Sequence, residues 1–275
     1  MANPENLIRN ISDTARWTAT FRARESERED ALFRDPFARR LAGERGESIR
    51  QQLAIVDNEW AFVVRTYLFD RAIRRCVEAG VPVVANLAAG LDARPYRLDL
   101  PANLEWVEVD LPEIVEYKEQ VLAGEQAHCG FHRLALDLAN VEARRGVFAR
   151  FAKGLAVCEG LLIYLDEEEV AQLGRDLAAA GVRYWLFDLA SPALFRMIQA
   201  TTGRFTAAAG APMKFAPREG VAWFERLGWK PLQVDSVFEA AFHLGRIPKE
   251  ILAAPPPPPG PDGPIWSGAV LLERA

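Results

Sequence analysis

Cysteine and histidine each occur only three times in 275 residues, and each scarcity removes a class of chemistry. Cys76, Cys129 and Cys158 are too few and too widely spaced for a disulfide framework or a zinc knuckle; they read as small buried hydrophobes, and no metal site is expected. Positive charge is not in excess either: the formal net charge is −5 and the isoelectric point about 5.5. A nucleic-acid partner, which needs a basic face, is therefore not expected. No run approaches the roughly 18 apolar residues of a membrane span, and the first residues lack a basic segment followed by an apolar one. A cytoplasmic protein without a membrane partner is expected. What is present is a chain half hydrophobic, with charges of both signs interspersed. That composition suits one large α/β core, with at most a small cap.

Three zones follow one another. Residues 1–80 have helical character. Ser12 or Asp13 is placed to cap a helix carrying Trp17 and Phe21 on one face, Arg22 to Asp30 reads as a solvated charged face, and Asp35-Pro36-Phe37 opens a short helix. From Asn58 to Ala79, Trp60, Val63, Val64, Tyr67, Leu68, Ala72 and Ile73 recur at helical spacing, with Gly80 as the stop. Between about Val81 and Ala190, candidate strands Val83–Leu87, Leu104–Val109, Phe131–Ala135, Leu155–Cys158 and Arg183–Asp188 alternate with helical segments near Arg94–Leu98, Pro112–Ala123, Val141–Phe151 and Glu167–Ala179. That alternation predicts right-handed βαβ units and a parallel sheet covered on both faces. The last zone breaks the rhythm. Residues 191–220 show no clear period and suit an inserted cap, and a helix with Trp223, Phe224 and Leu227 stops at Gly228. Pro255 to Pro259 form a stiff connector between strands near Leu232–Val237 and Ile265–Glu273, an expected antiparallel pair at one sheet edge. The whole is expected to be a single structural unit, a helical extension over 1–80 and a core over 81–275 that contains the 191–220 insertion.

Chemistry enters at the first strand. Val83 and Val84 lead into the small-residue turn Ala88-Ala89-Gly90, with Asp92 just beyond and Asp110 closing the next apolar segment. Strand, small-residue turn, helix and an acid about twenty residues on is how a chain offers backbone to a nucleoside and a carboxylate to its ribose. A dinucleotide site would want Gly-x-Gly-x-x-Gly against the pyrophosphate; here one glycine remains and Asp92 sits where a pyrophosphate would be repelled. S-adenosyl-L-methionine carries no phosphate, and a turn with fewer glycines and an added acid suits it better. Asp137, with Leu138 beside it, ends the third strand and could flank an adenine, and Glu159 ends the fourth, where a carboxylate could meet an ammonium. Acids at three successive strand tips would line one crevice. The plainer alternative is that each acid caps its following helix.

At these residues the sequence resembles the leucine carboxyl methyltransferase-like family of S-adenosyl-L-methionine-dependent O-methyltransferases, which includes bacterial enzymes acting on polyketide acids. The matching blocks are ARWTATFRARESERED and LFRDPFA near the start, VVRTYLFDRAI before the first strand, NLAAGLDARPYRLD at the turn, WVEVDLPEIVEYK, LALDL and CEGLLIYLDEEEV; beyond Ser191 the match fades. The resemblance implies a class I methyltransferase fold, a Rossmann-like sheet that is mostly parallel with an antiparallel last strand, a helical extension and a cap. Carried onto this chain, Gly90 with Ala89 would approach the cofactor, Asp110 with Leu111 would take the ribose, Asp137 and Leu138 the adenine, and Glu159 the methionine amino group. Arg24 and Arg65 would meet the methionine carboxylate, Arg65 also reaching the acceptor. The chain departs from the pattern at Ala88, where the family has glycine, and at Ala93, where it has threonine.

Methyl transfer from a sulfonium is an in-line displacement, so alignment and exclusion of water are the main requirements. A carboxylate acceptor, with a pKa near 4, is ionised at pH 7 and needs no general base. A hydroxyl acceptor would need one, and His243 is the best histidine candidate. Trp17, Phe21, Tyr164, Phe195, Met197, Phe205 and Met213 could wall a small-molecule acceptor, though ordinary core packing would also account for them. The rival functions are an NAD-dependent oxidoreductase, for which no Tyr-Lys or His-centred relay is evident, and a catalytically silent S-adenosyl-L-methionine-binding protein.

Overall fold

The structure is a computed structural model that describes residues 11–52, 58–208, 210–253 and 262–275. Three helices come first: α1 (Ile11–Ser26), α2 (Ala38–Gln52) and α3 (Glu59–Glu78). Then alternate β1 (Val83–Leu87), α4 (Arg94–Arg97), β2 (Glu105–Asp110), α5 (Pro112–Val121), β3 (Gly130–Ala135), α6 (Val141–Phe148), β4 (Leu155–Cys158), α7 (Glu167–Ala179) and β5 (Tyr184–Ala190). The chain continues through α8 (Pro192–Ile198), α9 (Arg204–Ala208), β6 (Trp229–Ser236), α10 (Val237–His243), α11 (Lys249–Ala253) and β7 (Ser267–Arg274). The strands make one seven-stranded sheet in the order β3-β2-β1-β4-β5-β7-β6. β1 to β5 are parallel, and β7 runs antiparallel between β5 and β6.

The central strands are mostly apolar because helices cover both faces, with Asn86 the buried polar exception in β1. β1 and β4 are buried along their whole length, and successive side chains serve opposite layers. Leu155, Val157, Tyr184 and Leu186 pack toward α3 and α10, with Val64, Leu68, Ile73, Val237 and Ala241. Ala156, Cys158, Trp185 and Phe187 pack toward α6 and α7 and the 3-10 turn Gly220–Leu227, with Phe148, Leu173, Leu177 and Phe224. Asp166 and Glu169 form a reciprocal capping box that starts α7, the arrangement that satisfies two orphan amides at a helix N-terminus. No helix among the described residues is long and apolar enough to cross a membrane.

The five expected parallel strands and the antiparallel late pair are all present, and β1, β4 and α7 have the expected bounds. The region after β5 differs from expectation. Residues 192–208 are helical rather than aperiodic: Ser191 accepts the Leu194 amide at 3.3 Å and Pro192 occupies the first turn, and a π-helical stretch Gln199–Gly203 joins α8 to α9. A local cap and proline overrode the missing amphipathic period. The segment with Trp223 and Phe224 is 3-10 rather than α-helical. Ser12 and Asp13 lie inside α1 instead of capping it, and Asp13 pairs with Arg45 of α2 at 2.6 Å. The connector Pro255 to Pro259 lies outside the described residues.

Candidate active site

Ligands of open parallel sheets collect outside the strand carboxyl ends, where successive connections leave in opposite directions. Here that point lies between β1 and β4, because β1 leads outward to β2 and β3, and β4 to β5 on the other side. The turn leaving β1 adopts left-handed backbone at Ala88 (φ 52°) and Gly90 (φ 50°). Glycine accepts that conformation freely, whereas at Ala88 the β-carbon costs about 1–2 kcal/mol. Asp110, at the end of β2, reaches back to this turn. Its Oδ2 accepts the Gly90 amide at 2.6 Å and its Oδ1 the Leu111 amide at 2.8 Å. Burial raises its pKa above the ordinary aspartate value, and the two amides offset only part of that. Helix α1 lies over the turn: Arg22 Nη2 donates to the Leu91 carbonyl at 2.5 Å, and a β-carbon built on Gly90 would sit 3.6 Å from Ala15.

The β1–β4 switch point is bridged by Arg94, which is 2% exposed. Its Nη1 stands 2.8 Å from both Asp92 Oδ2 and Glu159 Oε2, and its Nε 2.6 Å from Asp70 Oδ1. Arg97 binds the same Asp70 through both terminal nitrogens, at 2.6 and 2.8 Å. Arg65 of α3 completes the cluster, with Nε donating to Glu159 Oε1 at 3.1 Å and Nη1 to Asp188 Oδ2 at 3.0 Å. Burial opposes ionisation throughout, but opposite charges outweigh it. Asp92 and Glu159 are held below the usual carboxylate range chiefly by Arg94, and Asp70 chiefly by Arg97. Arg94 is raised well above the arginine value, foremost by Asp92. Three guanidinium groups meet four carboxylates, so the cluster keeps one net negative charge.

The expected site residues divide among four environments. Ala89, Gly90, Asp110 and Leu111 form one hydrogen-bonded unit at the β1 and β2 tips. Arg65 and Glu159 belong to the charged cluster. Asp137 is exposed after β3, its Oδ1 accepting the Ala139 amide at 2.9 Å, with Leu138 half-buried against the core. Arg24 stands apart: its side chain is 46% exposed and its Nε pairs with Glu59 at 2.9 Å. None of the three strand-tip acids caps the helix that follows. The caps of α6 and α7 are Asn140 and Asp166, and α5 starts on Pro112 after Leu111.

Asp92 plays a different part from the one its position suggested. Its carboxylate accepts the Arg94 amide, the Arg94 guanidinium and the Asn86 side-chain amide, each at 2.8 Å. It organises the turn from inside, and Arg94 compensates its charge. Arg94, Asp70 and Asp188 were not singled out from the sequence. A signal existed for each: Asp188 is a fourth acid near a strand end, in the apolar run WLFDLA, and Asp70 and Arg94 are charges set into otherwise apolar positions. Ala93 is fully buried at the start of α4 with no side-chain cap, and the Asp92 side chain serves the Arg94 amide instead. Two open clefts of about 420 Å³ each lie elsewhere. One is at the opposite ends of β1 and β2, lined by Glu105, His132 and Arg150, and the other lies between α3 and β6. Neither touches the charged cluster. Among the described residues no group of histidine, cysteine and acids could hold a metal ion.

The chain was compared with known proteins. The sequence profile of the family described as leucine carboxyl methyltransferase matches residues 15–178. A relative from Parafrankia, named "Putative S-adenosyl-L-methionine-dependent methyltransferase", is 34% identical over 264 residues, covering 89% of this chain and 84% of that protein. A protein of the same name from Frankia alni is 33% identical over 276 residues, covering 90% of each chain. Among solved structures, a DUF574 family protein from Streptomyces avermitilis superposes with a TM-score of 0.62 at 15% identity, covering 95% of this chain and 97% of that one. A Thermobifida fusca protein gives 0.60, also at 15% identity, over 98% and 96%. The structural likeness establishes the fold, and the sequence matches establish kinship: the chain belongs to the leucine carboxyl methyltransferase family.

Proposed function

We propose that this protein, an S-adenosyl-L-methionine-dependent methyltransferase, esterifies the carboxylate of a small apolar acid. The strand-tip residues fit the cofactor. Each Asp110 oxygen takes one backbone amide and keeps a second lone pair, the acceptor set that two vicinal ribose hydroxyls require. Asp137 and Leu138 would hold the adenine, and Glu159 the methionine ammonium. The net negative charge of the arginine–carboxylate cluster complements a ligand that carries one more cationic than anionic group. When bound, the cofactor supplies an electrophilic methyl whose positive charge dissipates as it moves. The chain's own part is to orient the acceptor, exclude water and leave its nucleophilic oxygen unprotonated.

Arg65 carries the choice of a carboxylate. Its guanidinium carbon lies 5.1 Å from the Phe62 ring centroid, and Phe62 packs on Trp17 and Phe21. With Nε and Nη1 committed to Glu159 and Asp188, Nη2 makes no hydrogen bond among the described residues, and the guanidinium carbon lies beside an aromatic wall. This is a cation next to apolar surface, as an acid with an apolar body needs. Among the described residues no histidine stands at the charged cluster to serve as base for a hydroxyl acceptor. His128 bonds the Leu98 carbonyl at 2.7 Å, His132 lies 3.4 Å from the exposed Glu105, and His243 packs on Phe242. Burial pushes Tyr164 and Cys158 up to about 12. The test supplies methyl-labelled cofactor with octanoic, benzoic, phenylacetic and 3-phenylpropionic acids and with the matching alcohols and phenol. Base-labile label, the mark of a methyl ester, is expected from the acids alone. Base-stable ether label would overturn the carboxylate assignment, and binding of S-adenosylhomocysteine with no transfer to any acceptor would make the protein a silent binder.

A further inference from the structure

Asp188, two residues before the end of β5, has no counterpart among the cofactor-facing residues, and its contacts are unlike theirs. In the β4–β5 register Cys158 pairs with Phe187, so Asp188 stands level with Glu159, one strand farther from Asp110. Strand spacing puts that step at about 4.8 Å, on the side away from the ribose and adenine positions. Asp188 Oδ2 accepts Arg65 Nη1 at 3.0 Å, and its Oδ1 accepts the Gly160 amide at 2.6 Å. One carboxylate thus ties the guanidinium to the backbone of the turn that leaves β4. Gly160 has φ 69°, and a β-carbon built there would lie 3.7 and 3.8 Å from Arg65 Nη1 and Nη2. The turn therefore passes over the guanidinium edge as bare backbone. Glu159 divides its two oxygens between Arg65 and Arg94, whereas among the described residues Asp188 bonds Arg65 and Gly160.

We propose that Asp188 is a positioning residue for methyl transfer: by holding Nη1 of Arg65 and the Gly160 turn together, it aims the free Nη2 edge at the acceptor's carboxylate. This rests on the carboxylate acceptor assigned above. A guanidinium anchored only through Nε can swing about its last bonds; anchored through Nε and Nη1 by carboxylates on adjacent strands, its plane is set. Misplacing a reacting group by about 1 Å can cost on the order of 100-fold in rate.

The experiment compares the full-length protein with Asp188→Asn and Asp188→Glu. Calorimetry with S-adenosylhomocysteine is expected to give affinities within about threefold of the unchanged protein, because in this assignment Asp188 and the Arg65 edge it holds serve the acceptor and not the cofactor. Arginine-selective ¹⁵N spectra of the S-adenosylhomocysteine complex, with Arg65 identified from Arg65→Lys, are expected to resolve Nη1 from Nη2 in the unchanged protein and to merge them in Asp188→Asn. With the best acid of the panel, kcat/KM should fall about 10–100-fold in Asp188→Asn and partly recover in Asp188→Glu, with no new dependence on pH between roughly 6 and 9. Unchanged Arg65 signals in Asp188→Asn would overturn the proposal. So would a loss of cofactor affinity in step with turnover, or the disappearance of a pH limb, which would make Asp188 a general base. If no acid is esterified, the carboxylate assignment fails by itself, and the Arg65 spectra and cofactor affinities still decide whether Asp188 holds that guanidinium.

Discussion

Asp110→Asn tests the cofactor cradle most directly, because the exchange is nearly isosteric yet chemically wrong. Both carboxylate oxygens already accept backbone amides, from Gly90 at 2.6 Å and Leu111 at 2.8 Å. An asparagine has one acceptor oxygen, so its NH₂ must face one of those amides, donor against donor. Leaving a buried amide without a partner costs about 1–3 kcal/mol. Part of this is returned, because burial penalises the carboxylate's charge, as its raised pKa shows. A net destabilisation of about 1 kcal/mol is expected. Binding suffers more. The variant can accept from at most one ribose hydroxyl and loses the charge on that bond, a loss of about 1.5–3 kcal/mol for a charged hydrogen bond, or roughly 10–150-fold in affinity. Calorimetry with S-adenosylhomocysteine measures the affinity and a urea melt the stability. An unchanged dissociation constant in a folded Asp110→Asn protein would refute the ribose assignment.

Arg94→Met should cost about 3–5 kcal/mol, because it leaves Asp92 buried with only amide donors while Asp70 keeps Arg97 and Glu159 keeps Arg65; a urea-melt loss below about 1 kcal/mol would deny the network that importance. The folded-state pKa values of Asp70, Asp92 and Glu159 are lowered, so the stability they confer is present above the ordinary carboxylate range of about 4 and is lost as pH falls through their folded values. Melts at successive acid pH values should therefore show a steep decline in the unchanged protein and a shallower one in Arg94→Met. Ala88→Gly should stabilise by about 0.5–1 kcal/mol, since relief of the left-handed strain exceeds the backbone entropy glycine adds to the unfolded chain; a lower melting midpoint would contradict this. Arg24→Ala removes an exposed pair and should change stability by less than about 1 kcal/mol. S-adenosylhomocysteine affinity should stay within about threefold, and a larger loss would assign Arg24 to the methionine carboxylate.

Much of this architecture was legible in the chain because its signals are local. Wholly apolar β4, β1 apolar but for Asn86, and Gly80 after α3 mark elements by short-range sterics and burial. The same holds for Asp110, whose distance from the turn is set by one βαβ unit. The helices over 192–208 were not legible from periodicity, since none of α8 is fully buried and a half-exposed helix carries little apolar pattern. Arg24 and Arg65 look alike in sequence, each an arginine in a matching block. One pairs at the surface with Glu59, the other joins the ends of two strands, and only their neighbours tell them apart.

The sequence by itself determined the alternation of strands and helices through β5, the small-residue turn at Ala88 to Gly90 and the acids at the strand tips, because turn chemistry and burial period are written over a few consecutive residues. The tertiary structure alone decided that Arg94 spans β1 and β4, that Asp92 is spent inside the turn, and that Asp188 shares Arg65 with Glu159 while Arg24 pairs with Glu59 at the surface. These pairings join residues from 2 to 123 positions apart, and the strength of a buried ion pair depends on distance and desolvation, which exist only once the sheet has brought those strand ends together.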